Sequence, residues 1–291
     1  MALDFQRARK PVRKVRKLLK KMSAEPTPEQ IHDFRTNSRS MEATLQAFGL
    51  ENSGLRRRVL KPLSQLRKRA GKIRDMDVLT TYAASVHTED GEQDCAVQLL
   101  EHLGAQRLKY ARKFHSASRL DGSKLRRGLK QVRRELDRKG AMVEDKKTLL
   151  AEPSSSALKL ATDLGSIGRL EHSNLHPFRL QVKELRNVLR LSDAPDQDLI
   201  AALAKVKDAI GEWHDWEELV NIAAKVLDHG SQCRLMQQLK STTRDKFESA
   251  LSQAEQLRKR YFGVSGKKKP SSARSAAPAE PVVRAAMKLV V

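Results

Sequence analysis

Apolar residues recur along this chain at spacings of three and four, with no convincing alternating stretch between them, so the pattern predicts helices and no strands. Val12, Val15, Leu18, Leu19 and Met22 form one stripe of a first helix whose other faces are nearly all Lys or Arg. Thr27-Pro28-Glu29-Gln30 then reads as an N-cap, a first-turn proline and a capping-box glutamine, opening a second helix to about Phe48. A third helix is expected over residues 52–84 and a fourth from 91 into the 112–118 region. The order then recurs: a basic helix over 123–139, a segment around 153–168, and a helix capped by Ser173 or Asn174. Helices over 195–228 and 231–262 follow, and after Gly263 the composition turns to Lys, Pro, Ser and Ala, the signature of a flexible tail.

Two motifs occur twice in the same order and at nearly the same separation, which argues for a duplicated helical unit. Ile31-His32-Asp33-Phe34-Arg35 matches Leu175-His176-Pro177-Phe178-Arg179, and Gly71, Asp75 and Leu79 match Gly211, Asp215 and Leu219. The expected organisation is a first repeat over 1–120, a second over 121–262 and the tail over 263–291.

Charge changes the picture from a generic helical protein to one with a preferred kind of partner. The 57 Lys and Arg outnumber the 35 Asp and Glu by enough to leave a formal charge of +22, a field that gathers polyanions and makes their binding salt-dependent. Aromatic residues are only 4% of the chain, which argues against base-stacking platforms while leaving contacts to a nucleic-acid backbone open. Cys95 and Cys233 are too few for a disulfide framework and lack zinc-site spacing, so they read as buried thiols. No window is apolar enough to span a membrane, and the basic start with Pro11 does not suit a signal peptide; its arginines leave a mitochondrial transit peptide conceivable, which the many lysines argue against, so cytoplasmic placement is the expectation.

At about 100° per residue, His32, Arg35 and Arg39 fall on one narrow helical arc, as do His176, Arg179, Lys183, Arg186 and Arg190 in the second copy. Apolar positions such as Ile31, Phe34, Leu175 and Phe178 lie on the neighbouring arc, so each stripe should border a groove between helices. Arg forks donors onto phosphate oxygens, Lys supplies a mobile point charge, and a His beside phosphates is drawn toward its protonated form. Lys61, Arg67, Lys68, Lys72 and Arg74 on the third helix, with Lys207 in the second copy, add a further charged layer. Gly71 and Gly211 each cost a helix about 1 kcal/mol, which close helix packing would explain. Asp75 and Asp215 read as carboxylates that orient neighbouring cations. The plain alternative is that carboxylates from other helices neutralise the stripes.

With His32, Arg35 and Arg39 in a His-x-x-Arg-x-x-x-Arg motif, its partner at His176, Arg179 and Lys183, and Arg74-Asp75-Met76-Asp77-Val78 between them, the chain resembles the CHAD family over most of residues 10–262. The resemblance implies two four-helix bundles related by a pseudo-two-fold axis around a basic central channel or groove. It also implies a cytoplasmic protein that binds inorganic polyphosphate without catalysis and associates with polyphosphate granules or their proteins. Ser40 and His214 stand where the family and the first copy carry further basic residues.

Two rival readings remain. Nucleic acid suits the charge, and Lys267-Lys268-Lys269 in the tail could touch DNA or a granule surface. A metal-dependent phosphohydrolase would use the dipeptides His32-Asp33 and His214-Asp215, yet Pro177 replaces Asp33 in the second copy and Arg74 replaces His214 in the first. What persists between copies is His followed by Arg. No phosphate loop, nucleotide fingerprint or nucleophile elbow is present, so no enzyme activity, cofactor or metal is expected.

Overall fold

The computed structural model describes residues 5–47, 53–86, 93–142, 151–190, 196–228 and 233–263, and these are helical almost throughout with no strand among them. In chain order the helices are α1 (Phe5–Lys21), α2 (Pro28–Ala47), the short α3 (Ser53–Leu55), α4 (Lys61–Ser85), α5 (Gln93–Met142), α6 (Ala151–Ser166), α7 (His172–Leu189), α8 (Gln197–Val226) and α9 (Arg234–Tyr261). The chain divides into two compact units, one formed mainly by α1–α5 and the other by α6–α9. The tail after Gly263, with its lysine cluster, lies outside the described residues.

In the unit of α1–α5, helix starts follow the capping chemistry in the sequence. The Thr27 amide donates to Gln30 Oε1 at 3.2 Å and the Gln30 amide to Thr27 Oγ1 at 3.3 Å, a reciprocal box that opens α2. The apolar arcs of α1, α2, α4 and α5 meet in one core, where Val15, Phe34, Leu66 and Leu129 are fully buried. Phe34 and Phe114 pack edge to face with centroids 5.5 Å apart. Burial of each such side chain contributes roughly 1.5–3 kcal/mol, so this interdigitated core, more than helix propensity, holds the basic helices in place.

Two expectations are corrected here. A break between a fourth helix and a basic helix at Ser123 is absent: α5 runs unbroken for 50 residues, through position 120/121 where the repeats were expected to meet. The reason is that Phe114, Ala117, Leu125, Leu129, Val132 and Leu136 keep one buried face across that stretch, and Ser118 Oγ donates to the His115 carbonyl at 2.8 Å within the helix. The expected third helix is in turn not uniform, since Arg56–Leu60 forms a π-helical turn between α3 and α4. Gly128 of α5 admits that turn: a Cβ there would lie 2.6 Å from Val59 Cγ2 and 3.7 Å from the Arg58 carbonyl oxygen.

In the unit of α6–α9, Leu164, Phe178, Ile210 and Leu257, one from each helix, are buried in a single core. Helix α7 begins earlier than a cap at Ser173 or Asn174 would allow. Glu171 is its N-cap, and the Glu171 amide donates to Asn174 Oδ1 at 2.8 Å, so Asn174 closes the box from inside the helix. Asp196 Oδ1 accepts from the Leu199 amide at 3.0 Å to start α8. Gly263, with φ of 67°, takes the left-handed conformation that ends α9. Arg258 is 5% exposed and donates to the carbonyls of Gly168 (2.9 Å) and Ile167, tying α9 to the link between α6 and α7.

Two glycines of α5 predict opposite outcomes. Gly128→Ala lowers stability by roughly 1–3 kcal/mol through overpacking against Val59, whereas Gly104→Ala, with nothing within 4 Å, raises it by up to about 1 kcal/mol. Denaturant unfolding of the two variants checks both signs.

Candidate functional site

The first matched motif comes together where α2 packs on α4. Gly71 is buried on α4, and a Cβ there would stand 2.5 Å from Arg35 Nη1, so the missing side chain is the space that the guanidinium of α2 occupies. Burial is the largest influence on Arg35 and lowers its hold on its proton; Asp75 opposes this, while Arg39, Arg74 and Arg67 add to it. These cations and one carboxylate therefore face each other across the α2–α4 crossing, and arginine stays charged there.

Carboxylates neutralise part of this cluster, as the plain reading allowed. Arg67 is paired with Glu42 of α2, and Arg74 lies 3.7 Å from Asp75. Arg39 is exposed and Arg35 half-buried, so the stripe presents charge at the mouth of the crossing and anchors it within. His32 is exposed, with Nε2 3.5 Å from Thr36 Oγ1 on its own helix.

Not every cation expected in this layer joins it. Lys72 turns toward α5, its ammonium 5.5 Å from the centroid of the Tyr110 ring. Lys68 is exposed, and so is Lys61, which opens α4 and lies about 20 Å from Arg74 along the helix axis by the helical rise.

In the unit of α6–α9, the second motif repeats the same device. A Cβ on Gly211 of α8 would lie 2.8 Å from Arg179 Nη2, 3.2 Å from Nε and 3.3 Å from Cζ. Arg179 of α7 thus lays its whole guanidinium on the α8 backbone, and its Nε donates to the Lys207 carbonyl at 3.1 Å. Lys207 contributes its carbonyl to this contact, while its ammonium pairs with Asp208. Lys183 and Asp215 are half-buried on the same two helices.

His176 stacks obliquely on His214, ring centroids 5.0 Å apart. Burial first, then His214 and Arg179, hold His176 below the ordinary imidazole value, so it is neutral at pH 7 in the unliganded protein. His214 also lies 3.6 Å from Glu217, whose other oxygen is 2.5 Å from His172 Nε2. His172 and Glu217 were not singled out from the sequence; their signal is only that His172 lies one helical turn before His176 and Glu217 one turn after His214. His176 Nδ1 and Arg186 Nε are buried with no hydrogen-bond partner among the described residues. Other buried side-chain atoms, such as Ser38 Oγ and Thr80 Oγ1, share this state, but these two sit along the cationic stripe of α7.

Among the described residues, no group of three His, Cys, Asp or Glu side chains could share a metal ion, and no helix is long and apolar enough to cross a membrane. Cys95 and Cys233 are buried free thiols.

Each of the two units lays an arginine of a His-x-x-Arg motif over a helix glycine. The chain belongs to the CHAD domain family, whose pattern it matches over residues 6–224. That match ends within α8 and leaves α9 beyond it. No curated protein and no solved structure matches the chain at a significant level.

The two Arg–Gly contacts differ in what an alanine would disturb. Gly71→Ala displaces only the free end of Arg35, so helix propensity leaves stability unchanged or higher by up to about 1 kcal/mol. Gly211→Ala also breaks the Arg179–Lys207 hydrogen bond, a charge-assisted one worth roughly 1.5–3 kcal/mol, so it unfolds at lower denaturant than Gly71→Ala. Equal midpoints would contradict the geometry.

Proposed function

We propose that the protein binds inorganic polyphosphate without catalysis, through the cationic stripe of each unit. His32, Arg35, Arg39, Arg67 and Arg74 serve in one, and His176, Arg179, Lys183 and Arg186 in the other. The observation that carries the reading is the pair of guanidinium groups held on glycine backbone, Arg35 over Gly71 and Arg179 over Gly211. Like charges crowded this closely repel, and a ligand with a charge on every repeating unit relieves the repulsion along the whole stripe. Membership of the CHAD family supports the same reading. Cytoplasmic residence and association with polyphosphate granules belong to the proposal on the same ground.

Nucleic acid is the rival ligand that charge alone would accept. It is tested by titrating the protein with long-chain polyphosphate and with duplex DNA at two salt concentrations, beside a variant with Arg35, Arg39, Arg179 and Lys183 changed to Ala. The expected result is polyphosphate binding that exceeds DNA binding, weakens steeply with salt and falls by at least about a hundredfold in the variant. Equal DNA affinity, or no loss in the variant, overturns the assignment.

His176 gives the reading a pH signature. Phosphates beside it favour its charged form, so binding takes up a proton that the free protein does not hold at neutral pH. Affinity therefore rises as pH falls from about 8 to about 6, and His176→Gln flattens that rise. Calorimetry in buffers of different ionisation enthalpy measures the proton uptake directly.

A further inference from the structure

A dense run of cations without described carboxylate partners lies away from the Arg–Gly crossings. In the unit of α1–α5, packing contacts link α1 to α2, α2 to α4, α4 to α5 and α5 back to α1, so the α1–α5 edge is opposite the α2–α4 edge that carries the His-Arg stripe. Along that opposite edge runs a groove of about 810 Å³. Helix α1 contributes Arg13, Arg16, Lys17 and Lys20, and α5 contributes Arg126, Lys130 and Arg133, over an apolar floor of Val12 and Leu129.

No carboxylate lines this groove among the described residues. At one end Asp137 holds Arg9 at 2.7 Å and lies 3.8 Å from Arg133, the one lining cation with a described carboxylate partner. No described carboxylate pairs with Arg13, Arg16, Lys17, Lys20, Arg126 or Lys130. Through Arg127 the groove meets a second hollow of about 460 Å³, bordered by Arg57 and Arg58 of the π-helical turn, by Lys124 and by one carboxylate, Asp121. The π turn thus places further cations where the groove continues.

We propose that the α1–α5 groove is a second polyphosphate track, separate from the His-Arg stripe. This rests on the polyphosphate reading above and extends it. A nucleobase would need a stacking surface, and no aromatic among the described residues lines either hollow, whereas a bare phosphate chain needs only closely spaced cations along a line. The cations of α1 from Arg13 to Lys20 cover about 10 Å of helix, enough for a short run of phosphates. A long chain that leaves one track engages the other at high local concentration, so affinity rises with chain length beyond what one track gives.

The test compares three full-length variants with the wild type. The groove variant carries Arg13→Gln, Lys17→Gln, Arg126→Gln and Lys130→Gln. The stripe variant carries Arg35→Ala, Arg39→Ala, Arg179→Ala and Lys183→Ala. A control with Lys225, Lys240, Arg244 and Lys259 changed to Gln has the same net charge as the groove variant. Circular dichroism confirms equal helix content before calorimetry with tripolyphosphate and with long-chain polyphosphate.

The groove variant is expected to bind one fewer tripolyphosphate per chain than the control and to lose at least about tenfold in long-chain affinity. Unchanged stoichiometry and affinity relative to the control overturns the second track, and so does a loss confined to duplex DNA. The stripe variant reads the primary assignment independently: unchanged affinity in it overturns that assignment, whereas unchanged affinity in the groove variant overturns only the second track.

Discussion

A guanidinium group is flat and weakly hydrated, and it can lie on a neighbouring helix only where that helix offers no Cβ. Gly71 and Gly211 provide that opening, and most of the site's geometry depends on it. With the arginine seated, its neighbours on the same arc are fixed in register, so Arg39 follows Arg35 and Lys183 and Arg186 follow Arg179 along one line. A side chain at either glycine would push the guanidinium outward and loosen that line. The helix-breaking residue therefore sits mid-helix because the contact across the helices requires it, at an expense of about 1 kcal/mol each.

Charge is managed differently at different depths. Near the α2–α4 crossing Glu42 and Asp75 offset part of the positive cluster, which lets four arginines coexist beside a buried core. In the unit of α6–α9 the offset is less direct, with Asp208 on Lys207 and Glu217 on the His172–His214 pair. His176 answers its surroundings by staying neutral. In the α1–α5 groove no described carboxylate faces Arg13, Arg16, Lys17, Lys20, Arg126 or Lys130, and solvent and ligand are left to screen them. These are the conditions under which a flexible polyanion is held by many modest contacts instead of one deep pocket.

Much of this was legible in the residues themselves. The capping box at Thr27 and Gln30, the apolar arcs of α2 and α7, and the paired Gly71 and Gly211 all follow from local chemistry and spacing, and the structure places them as read. The glycines pointed to close packing, but not to a guanidinium as the packed group, because which side chain fills a gap depends on the partner helix. For the same reason Lys72 could not be foreseen to turn to Tyr110. The unbroken α5 was missed because its buried face must be compared across a stretch of small and polar residues, and the π turn because Gly128, far along the chain, is what admits it. The α1–α5 groove was half visible as two basic helices, whose adjacency only the fold supplies.

The most direct test of the account is a double-mutant cycle on the contact at its centre, reading polyphosphate affinity for Gly71→Ala, Arg35→Ala and the two together. If the glycine acts by seating the arginine, each single change weakens binding and the double variant is no weaker than Arg35→Ala alone. Losses that add in full would mean that Gly71 and Arg35 affect binding separately, and that the seated guanidinium is not what holds the ligand.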